Sequence, residues 1–155
     1  MTPGAKAQGL IELLQIYGAN KTVPADTVLS RYLKERRYIG SKDRQFLAHH
    51  FFQIMRMYHA LKDKGISERI LVARYFSWVG KMPVEEVAFW FDGSNYHPHV
   101  LTKDEIRLVE KNTFNYNNRI PAWVRPLLPI QDEELDECLL KNAPVDLRVN
   151  LFKTT

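Results

Sequence analysis

The chain has 155 residues, of which 45% are apolar and 26% are charged, as in an ordinary globular protein rather than a disordered or fibrous one. None of its apolar runs approaches the roughly 20 residues that a membrane-spanning helix needs. Cys138 is the single cysteine, which excludes an internal disulfide framework and a cysteine-based zinc site. These properties predict a cytoplasmic protein with no membrane contact.

The net charge of +4 conceals an uneven distribution along the chain. Residues 1–81 carry 14 Lys and Arg against 6 Asp and Glu, a net of +8, whereas residues 82–155 carry 8 against 12, a net of −4. A basic half of this kind favours a polyanionic partner, most simply nucleic acid. The alternative is a solvated basic face that has no partner.

Two helices are predicted at the start of the chain. Thr2 can cap a first helix that has Pro3 at its first position and ends at Gly18. Pro24 opens a second helix, which runs into the sequence Lys-Glu-Arg-Arg-Tyr and stops at Gly40.

A long third helix is predicted to form the centre of the domain. Ser41 can cap it, and its apolar residues recur at helical spacing over residues 42–64. Its wide apolar surface predicts that it is the most buried helix. Ser67 then caps a fourth helix, which we expect to continue through residue 78.

Two shorter helices complete the predicted domain. Pro83 starts a fifth helix, and Thr102 with Glu105 three positions later forms a capping box for a sixth, which ends near residue 111. Six helices with short connections predict a compact all-α domain over residues 1–112.

Residues 113–155 are predicted to be a linker and the start of another subdomain. Residues 120–128 predict a short Pro-bracketed helical turn, and residues 132–142 an acidic helix. Apolar residues then alternate with polar ones, which is typical of a half-buried strand: Val145, Leu147, Val149 and Leu151. Because a lone strand needs sheet partners, we expect a truncated α+β subdomain whose missing strands follow Thr155. An unpaired tail of this kind can also link two copies into a dimer.

A basic cluster spans the end of the second helix and the start of the third. Its members are the candidate RNA-binding residues Arg31, Lys34, Arg36, Arg37, Lys42 and Arg44. Only Glu35 and Asp43 offset this charge, and either Tyr32 or Tyr38 is placed to stack on an unpaired base. The alternative is that Asp43 pairs with its neighbour in the cluster and the other cations are simply solvated.

The sequence predicts no active site of its own. The glycines are scattered, so there is no phosphate-binding loop. Cys138 lies in an acidic segment that disfavours a reactive thiolate. His97 and His99 flank Pro98, but no carboxylate or thiolate stands at a spacing that would complete a metal site, and none is predicted.

Three segments resemble one protein family in their order and spacing. Residues 28–56, with the basic tail, Gly-Ser-Lys-Asp-Arg and a long aromatic helix, resemble the NusB-like helical domain. Residues 120–124, Ile-Pro-Ala-Trp-Val, are similar to an element that follows this domain in Sun/Fmu-type RNA cytosine-C5 methyltransferases. Residues 139–155 resemble the family's bridge into its next subdomain, with Leu-Arg-Val-Asn at 147–150.

The resemblance implies the N-terminal region of a three-part enzyme. Such a parent would bind S-adenosylmethionine in a later Rossmann-like domain that carries two catalytic cysteines, which this chain lacks. These residues would then hold no cofactor and catalyse nothing alone, but would position small-subunit rRNA for the parent's own catalytic domain. Two alternatives remain: a stand-alone NusB-type antitermination factor, and a structural domain that docks on its catalytic domain without touching RNA.

Overall fold

A computed structural model of the chain describes residues 1–20, 22–63, 65–111 and 123–128. These residues form seven α-helices, a π-helical turn (Tyr75–Val79) and a 3₁₀ turn (Arg125–Leu127), without a β-strand among them. The α-helices are α1 Pro3–Ala19, α2 Ala25–Glu35, α3 Ser41–Arg56, α4 Tyr58–Leu61, α5 Glu68–Arg74, α6 Val84–Phe89 and α7 Lys103–Glu110. The predicted all-α fold class is therefore confirmed for the described part of the chain.

Local sequence signals set most of the helix starts. The Thr2 side-chain oxygen accepts a hydrogen bond from the N–H three residues on, at 3.3 Å, as expected of an N-cap. Thr102 and Glu105 form the predicted capping box of α7: each backbone N–H donates to the other's side chain, at 2.8 and 3.2 Å. Pro24 and Pro83 stand immediately before α2 and α6, where the fixed ring favours the turn into a helix.

Helix α1 is the element against which the others assemble. It packs against α2, α3 and α5, and it buries a continuous set of small and aliphatic residues: Gly4, Ala7, Gly9, Leu10, Ile11, Leu13 and Leu14. A Cβ at Gly9 would lie 3.1 Å from Leu47 of α3 and 3.3 Å from the Tyr32 hydroxyl of α2, so the missing side chain lets three helices approach closely.

The most buried segment is α5 with its π-helical extension, rather than α3. Residues 70–76 are all buried, because this stretch is apolar on every side of the helix apart from one arginine. The expected long third helix is interrupted at Met57, so α3 is followed by the short α4. Three side chains of α3 are buried, Leu47, Phe51 and Ile54, while Phe52 is exposed. The expectation that the third helix is the most buried is therefore wrong.

Arg74 is the charged residue of this buried segment, and its guanidinium is held by hydrogen bonds from Nε and Nη1. Nη1 donates to the Leu61 carbonyl at 2.9 Å and to Asp63 at 2.8 Å, and Nε donates to the Leu108 carbonyl at 3.2 Å. The guanidinium also lies 4.4 Å from the centre of the Trp78 ring. One side chain thereby ties α5 to the end of α4 and to α7.

Several predicted elements lie outside the described residues. These are the acidic helix over 132–142, the terminal strand over 145–151 and most of the linker from residue 113 onward. Within the predicted turn over 120–128, Arg125–Leu127 form the 3₁₀ turn. None of the described helices combines the length and the apolar character that crossing a membrane requires.

Candidate nucleic-acid interface

Four of the six predicted RNA-binding residues are exposed where α2 turns into α3. Arg31 and Lys34 lie on α2, three positions apart and therefore on one side of it, Arg37 lies in the turn, and Lys42 lies in the first turn of α3. We call these four residues the basic corner. None of their side chains makes an ion pair or hydrogen bond with a residue that the structure describes. Their charges are therefore available to an anionic partner.

Arg44 is bound to the protein's own backbone. Its Nε donates to the Ile39 carbonyl at 2.7 Å, Nη1 to the Leu33 carbonyl at 2.9 Å and Nη2 to the Arg36 carbonyl at 3.2 Å. Two of these oxygens belong to the C-terminal end of α2, where carbonyls lack helical partners. The guanidinium therefore holds the α2–α3 turn in place, and the structure gives Arg44 a role in shaping the surface.

Arg36 is directed toward α1. Its Nη2 lies 3.3 Å from a Glu12 carboxylate oxygen, and its guanidinium stacks 3.8 Å from the centre of the Tyr32 ring. The Tyr32 hydroxyl donates to the same Glu12 oxygen at 2.9 Å. Burial, followed by that hydrogen bond, raises the pKa of Tyr32 well above its ordinary value. Arg36 thus belongs to an α1–α2 network rather than to the basic corner.

The two acidic residues of the cluster face other cations. Asp43 accepts from the N-terminal amine at 2.6 Å and lies 3.2 Å from Lys6, and these contacts, the amine first, lower the pKa of its carboxyl. Glu35 lies 3.7 Å from Arg36. The predicted alternative, in which Asp43 pairs with Arg44, is not what the structure shows. Neither acid neutralises the basic corner.

Tyr38 lies in the turn between α2 and α3, next to Arg37 in the chain. Its side chain is 80% exposed, whereas Tyr32, the other tyrosine of the cluster, is buried. The neighbouring Ile39 is buried, and its N–H donates to the Arg36 carbonyl at 3.1 Å. Of the two tyrosines that the sequence offered for base stacking, only Tyr38 has an accessible ring.

His50 is partly buried and packs against aromatic rings. Its Nδ1 lies 2.8 Å from the Tyr75 hydroxyl, and its ring packs against Phe46 and Phe76. Burial, and then the charges of His49 and Lys6, lower the pKa of His50 to about 4. The imidazole is therefore neutral at physiological pH. The described residues hold no group of three or more side chains able to coordinate a metal.

A second network of hydrogen-bonded polar side chains links the 92–97 loop to the start of α1. Asp92 Oδ1 lies 2.7 Å from His97 Nδ1, and His97 Nε2 lies 2.6 Å from Thr2 Oγ1. Ser94 donates to Asp92 from its backbone N–H and its hydroxyl, which with His97 lowers the pKa of Asp92 to about 2. Because Thr2 Oγ1 also caps α1, this network holds the loop against the N-terminus of the helix.

An apolar surface lies apart from the basic corner. Phe89 and Val100 are 78% and 64% exposed and border a cleft of about 480 Å³ that is also lined by Val84 and Ile106. In the 123–128 segment, Trp123 is 73% exposed. Exposed apolar residues of this kind are typical of protein contacts rather than RNA contacts.

Comparison of the chain with family models, with curated proteins and with solved structures gave no match. The family resemblance of residues 28–56, 120–124 and 139–155 therefore stays a prediction from the sequence.

Proposed function

We propose that this chain is an RNA-binding helical domain, whose basic corner contacts the phosphate backbone of a structured RNA. The observation that supports the proposal is the exposure of four cations around the turn between α2 and α3: Arg31, Lys34, Arg37 and Lys42. None of them has a carboxylate partner among the described residues. When cations arranged in this way bind phosphates, the RNA releases the counterions that had neutralised those phosphates. This release provides affinity that does not depend on the base sequence of the RNA.

The resemblance extends the proposal to a parent protein. We infer that this domain positions small-subunit rRNA for an S-adenosylmethionine-dependent cytosine-C5 methyltransferase domain, which would supply the methyl donor site and the catalytic cysteines. The domain itself would then contribute binding and orientation, which can account for much of an enzyme's preference among RNA substrates.

Salt dependence of RNA binding tests the proposal directly. If the four cations of the basic corner contact phosphates, log affinity should fall with log salt at a slope of about −3. Contacts from all six predicted cations would give about −4 to −5. A fluorescence titration with a structured rRNA fragment measures the slope, and a slope near zero would contradict the proposal.

A charge-matched pair of variants locates the site. Replacing the basic corner, Arg31, Lys34, Arg37 and Lys42, by Gln should weaken binding and flatten the salt slope. The control replaces four exposed cations elsewhere by Gln: Lys81, Lys103, Arg107 and Lys111. Both variants lose the same charge, so an equal loss of affinity would show that net charge rather than the basic corner governs binding. Circular dichroism checks that both remain helical.

The exposed apolar surface supports a second candidate, a domain that docks on its own catalytic domain. Under this function Phe89 and its cleft, rather than the basic corner, are the contact surface. Phe89→Asp should abolish association with the catalytic domain of the proposed parent in a calorimetric titration, and the basic-corner variant should not. RNA binding that needs the basic corner would favour the first function over this one.

A further inference from the structure

We propose that Tyr38 stacks on an unpaired base, so that the domain selects RNA with a bulge or loop over a continuous duplex. This inference rests on the proposed RNA-binding function. It adds a specificity residue to a surface whose cations recognise only phosphates.

The position of Tyr38 is the first argument. Its ring is 80% exposed, and Arg37 and Lys42 of the basic corner flank it in the chain. An RNA strand whose phosphates lie on those cations therefore passes next to an aromatic face. Combining a cationic track with an aromatic ring is the general means by which proteins hold unpaired nucleotides.

The rigidity of the turn is the second argument. Arg44 binds the carbonyls of Leu33, Arg36 and Ile39, which precede and follow Tyr38. Ile39 anchors the turn in the core. The backbone that carries Tyr38 is thus fixed before any ligand binds, which lowers the entropy lost when a base stacks on the ring.

The third argument is that two other exposed aromatics, Tyr96 and Phe89, have different surroundings. Tyr96 is 85% exposed, but it lies in a cleft with Arg69, and the guanidinium of Arg69 is bound to Glu105 and to two backbone carbonyls. Phe89 borders an apolar cleft that includes Glu85 and Glu110. Of these three rings, Tyr38 alone is next in the chain to a cation that has no partner among the described residues.

The chemistry of stacking determines the class of RNA. Inside a duplex both faces of a base are covered by neighbouring bases, so an external ring cannot reach them. Bases in bulges, loops and ends can be splayed out and stacked on a side chain. The RNA that fits this surface therefore has a paired part, whose phosphates contact the basic corner, and at least one unpaired base beside it.

A pair of RNA duplexes that differ by one internal bulge provides the test, with the full chain as the protein. The unsubstituted chain should bind the bulged duplex more tightly. Tyr38→Ala should weaken binding to the bulged duplex by about 5- to 150-fold and leave the continuous duplex nearly unchanged. Tyr38→Phe should keep the preference, because its ring still stacks, and Tyr38→Leu should lose it. Tyr96→Ala is the matched control and should behave like the unsubstituted chain.

Two further readouts separate stacking from a structural role. The salt slope of Tyr38→Ala should equal that of the unsubstituted chain, since stacking releases no counterions. A 2-aminopurine in the bulge should change its fluorescence on binding the unsubstituted chain but not Tyr38→Ala.

The outcomes distinguish failure of this inference from failure of the proposed function. Two results would overturn the stacking role alone. In the first, binding depends on salt but is equally tight for the bulged and the continuous duplex. In the second, Tyr38→Ala weakens binding to both duplexes equally. Absence of salt-dependent binding to either duplex would overturn the proposed function and the inference together.

Discussion

Arginines that are alike in the sequence have different roles in the structure. Arg37 is exposed and has no partner among the residues that the structure describes, Arg36 stacks on Tyr32, and Arg44 binds three backbone carbonyls. The difference follows from where each Cα stands relative to the end of α2. Substitutions at these positions should therefore separate an effect on RNA affinity from an effect on stability.

Arg44→Ala should lower the free energy of unfolding by about 2–3 kcal/mol, because three carbonyl oxygens lose a charged donor. Arg44→Lys should recover a part of this, since an ammonium lacks the planar fork of a guanidinium. Urea denaturation followed by circular dichroism measures both. Arg37→Ala is the control and should stay within about 0.5 kcal/mol of the unsubstituted chain. Equal stability of Arg37→Ala and Arg44→Ala would return Arg44 to the RNA-contact role expected from the sequence.

His50 should make the fold less stable as the pH falls from about 6.5 to 4. Its pKa is about 4 in the folded chain, mainly because of burial, and about 6.5 when unfolded. The unfolded chain therefore binds the proton more readily in this range, and decreasing pH favours unfolding. His50→Phe cannot titrate and keeps aromatic packing with Phe46 and Phe76, so urea titrations should show a smaller loss of stability across this range.

Asp92 should affect stability in a lower pH range than His50. Because its pKa is about 2 in the folded chain, below that of an ordinary carboxyl near 3.9, its stabilising effect is complete above the higher value. The effect should disappear only as the pH falls toward the lower one. Asp92→Asn should consequently reduce the loss of stability that the unsubstituted chain shows as the pH falls from about 3.9 to 2. Urea titrations in this lower range measure it, and an unchanged loss in Asp92→Asn would contradict the assignment.

At the scale of the elements, two of the three glycines in α1, Gly4 and Gly18, have opposite environments. A Cβ at Gly4 would overlap the His97 ring and lie 2.7 Å from the Trp90 carbonyl oxygen, whereas nothing lies within 4 Å of a Cβ at Gly18. Intrinsic helix propensity favours alanine equally at both positions. The difference between them is therefore a difference in packing against the 90–97 segment.

Gly4→Ala should lower the free energy of unfolding by about 1–3 kcal/mol, because backbone and ring must move apart to admit a methyl group. Gly18→Ala should raise it by about 0.5–1 kcal/mol, since alanine restricts the unfolded chain and meets no obstacle in α1. Thermal unfolding of the two single variants measures the contrast. A stabilising effect at both positions would show that the loop carrying His97 does not pack on α1 as described.

The helix boundaries show which elements the sequence could predict. Thr2, Pro24, Pro83 and the Thr102–Glu105 capping box act on their own turns, so the residues that signal a helix start are also the ones that make it. The interruption at Met57 has no such local signal, and the order of burial among helices depends on tertiary packing. This is why the extent and rank of α3 were predicted wrongly.

The sequence predicts which residues form the basic cluster, but it does not predict which of them are exposed and which bind other parts of the protein. Counting charges along the sequence is enough to identify the cluster, because cations that are neighbours in the sequence stay close together in any fold. The partners of Arg36 and Arg44 depend on contacts with α1 and with carbonyls, which no side-chain pattern encodes. Position in the helix does not separate the cations either: Lys42 and Arg44 both stand near the start of α3, where a cation opposes the helix dipole, but only Arg44 binds backbone carbonyls.

At the scale of the whole molecule, the buried core extends from α1 to α7. Leu101, just before α7, and Val109, within α7, are both buried. Trp78 donates to the Val109 carbonyl at 2.6 Å, and Arg74 donates to the Leu108 carbonyl. Helix α7 therefore completes the surroundings of the most buried segment. The basic corner, by contrast, lies at the α2–α3 junction and uses no residue of α7.

A chain that ends at residue 112 should accordingly fold in one cooperative transition and keep its affinity for RNA. It retains every helix from α1 to α7 and the whole basic corner. A chain that ends at residue 100 loses Leu101 and Val109, each worth about 1.5–3 kcal/mol on burial, and leaves the donors of Arg74 and Trp78 without their α7 carbonyls. Because small domains are stable by only about 5–15 kcal/mol, this shorter chain should be largely unfolded at 25 °C.

Urea denaturation of the two shortened chains, followed by circular dichroism and by tryptophan fluorescence, distinguishes the possibilities. Coincident transitions in the two signals of the 1–112 chain, at the midpoint of the full chain, would establish it as an independent domain. A lower midpoint would mean that residues after 112 contribute to the stability of this core, and the predicted boundary would then move toward the C-terminus. The basic corner is distant in the chain from both new ends, so RNA affinity should depend only on the fraction of each chain that is folded. The 1–112 chain should bind as tightly as the full chain. The 1–100 chain should bind only to the extent that its helical signal shows a remaining folded fraction.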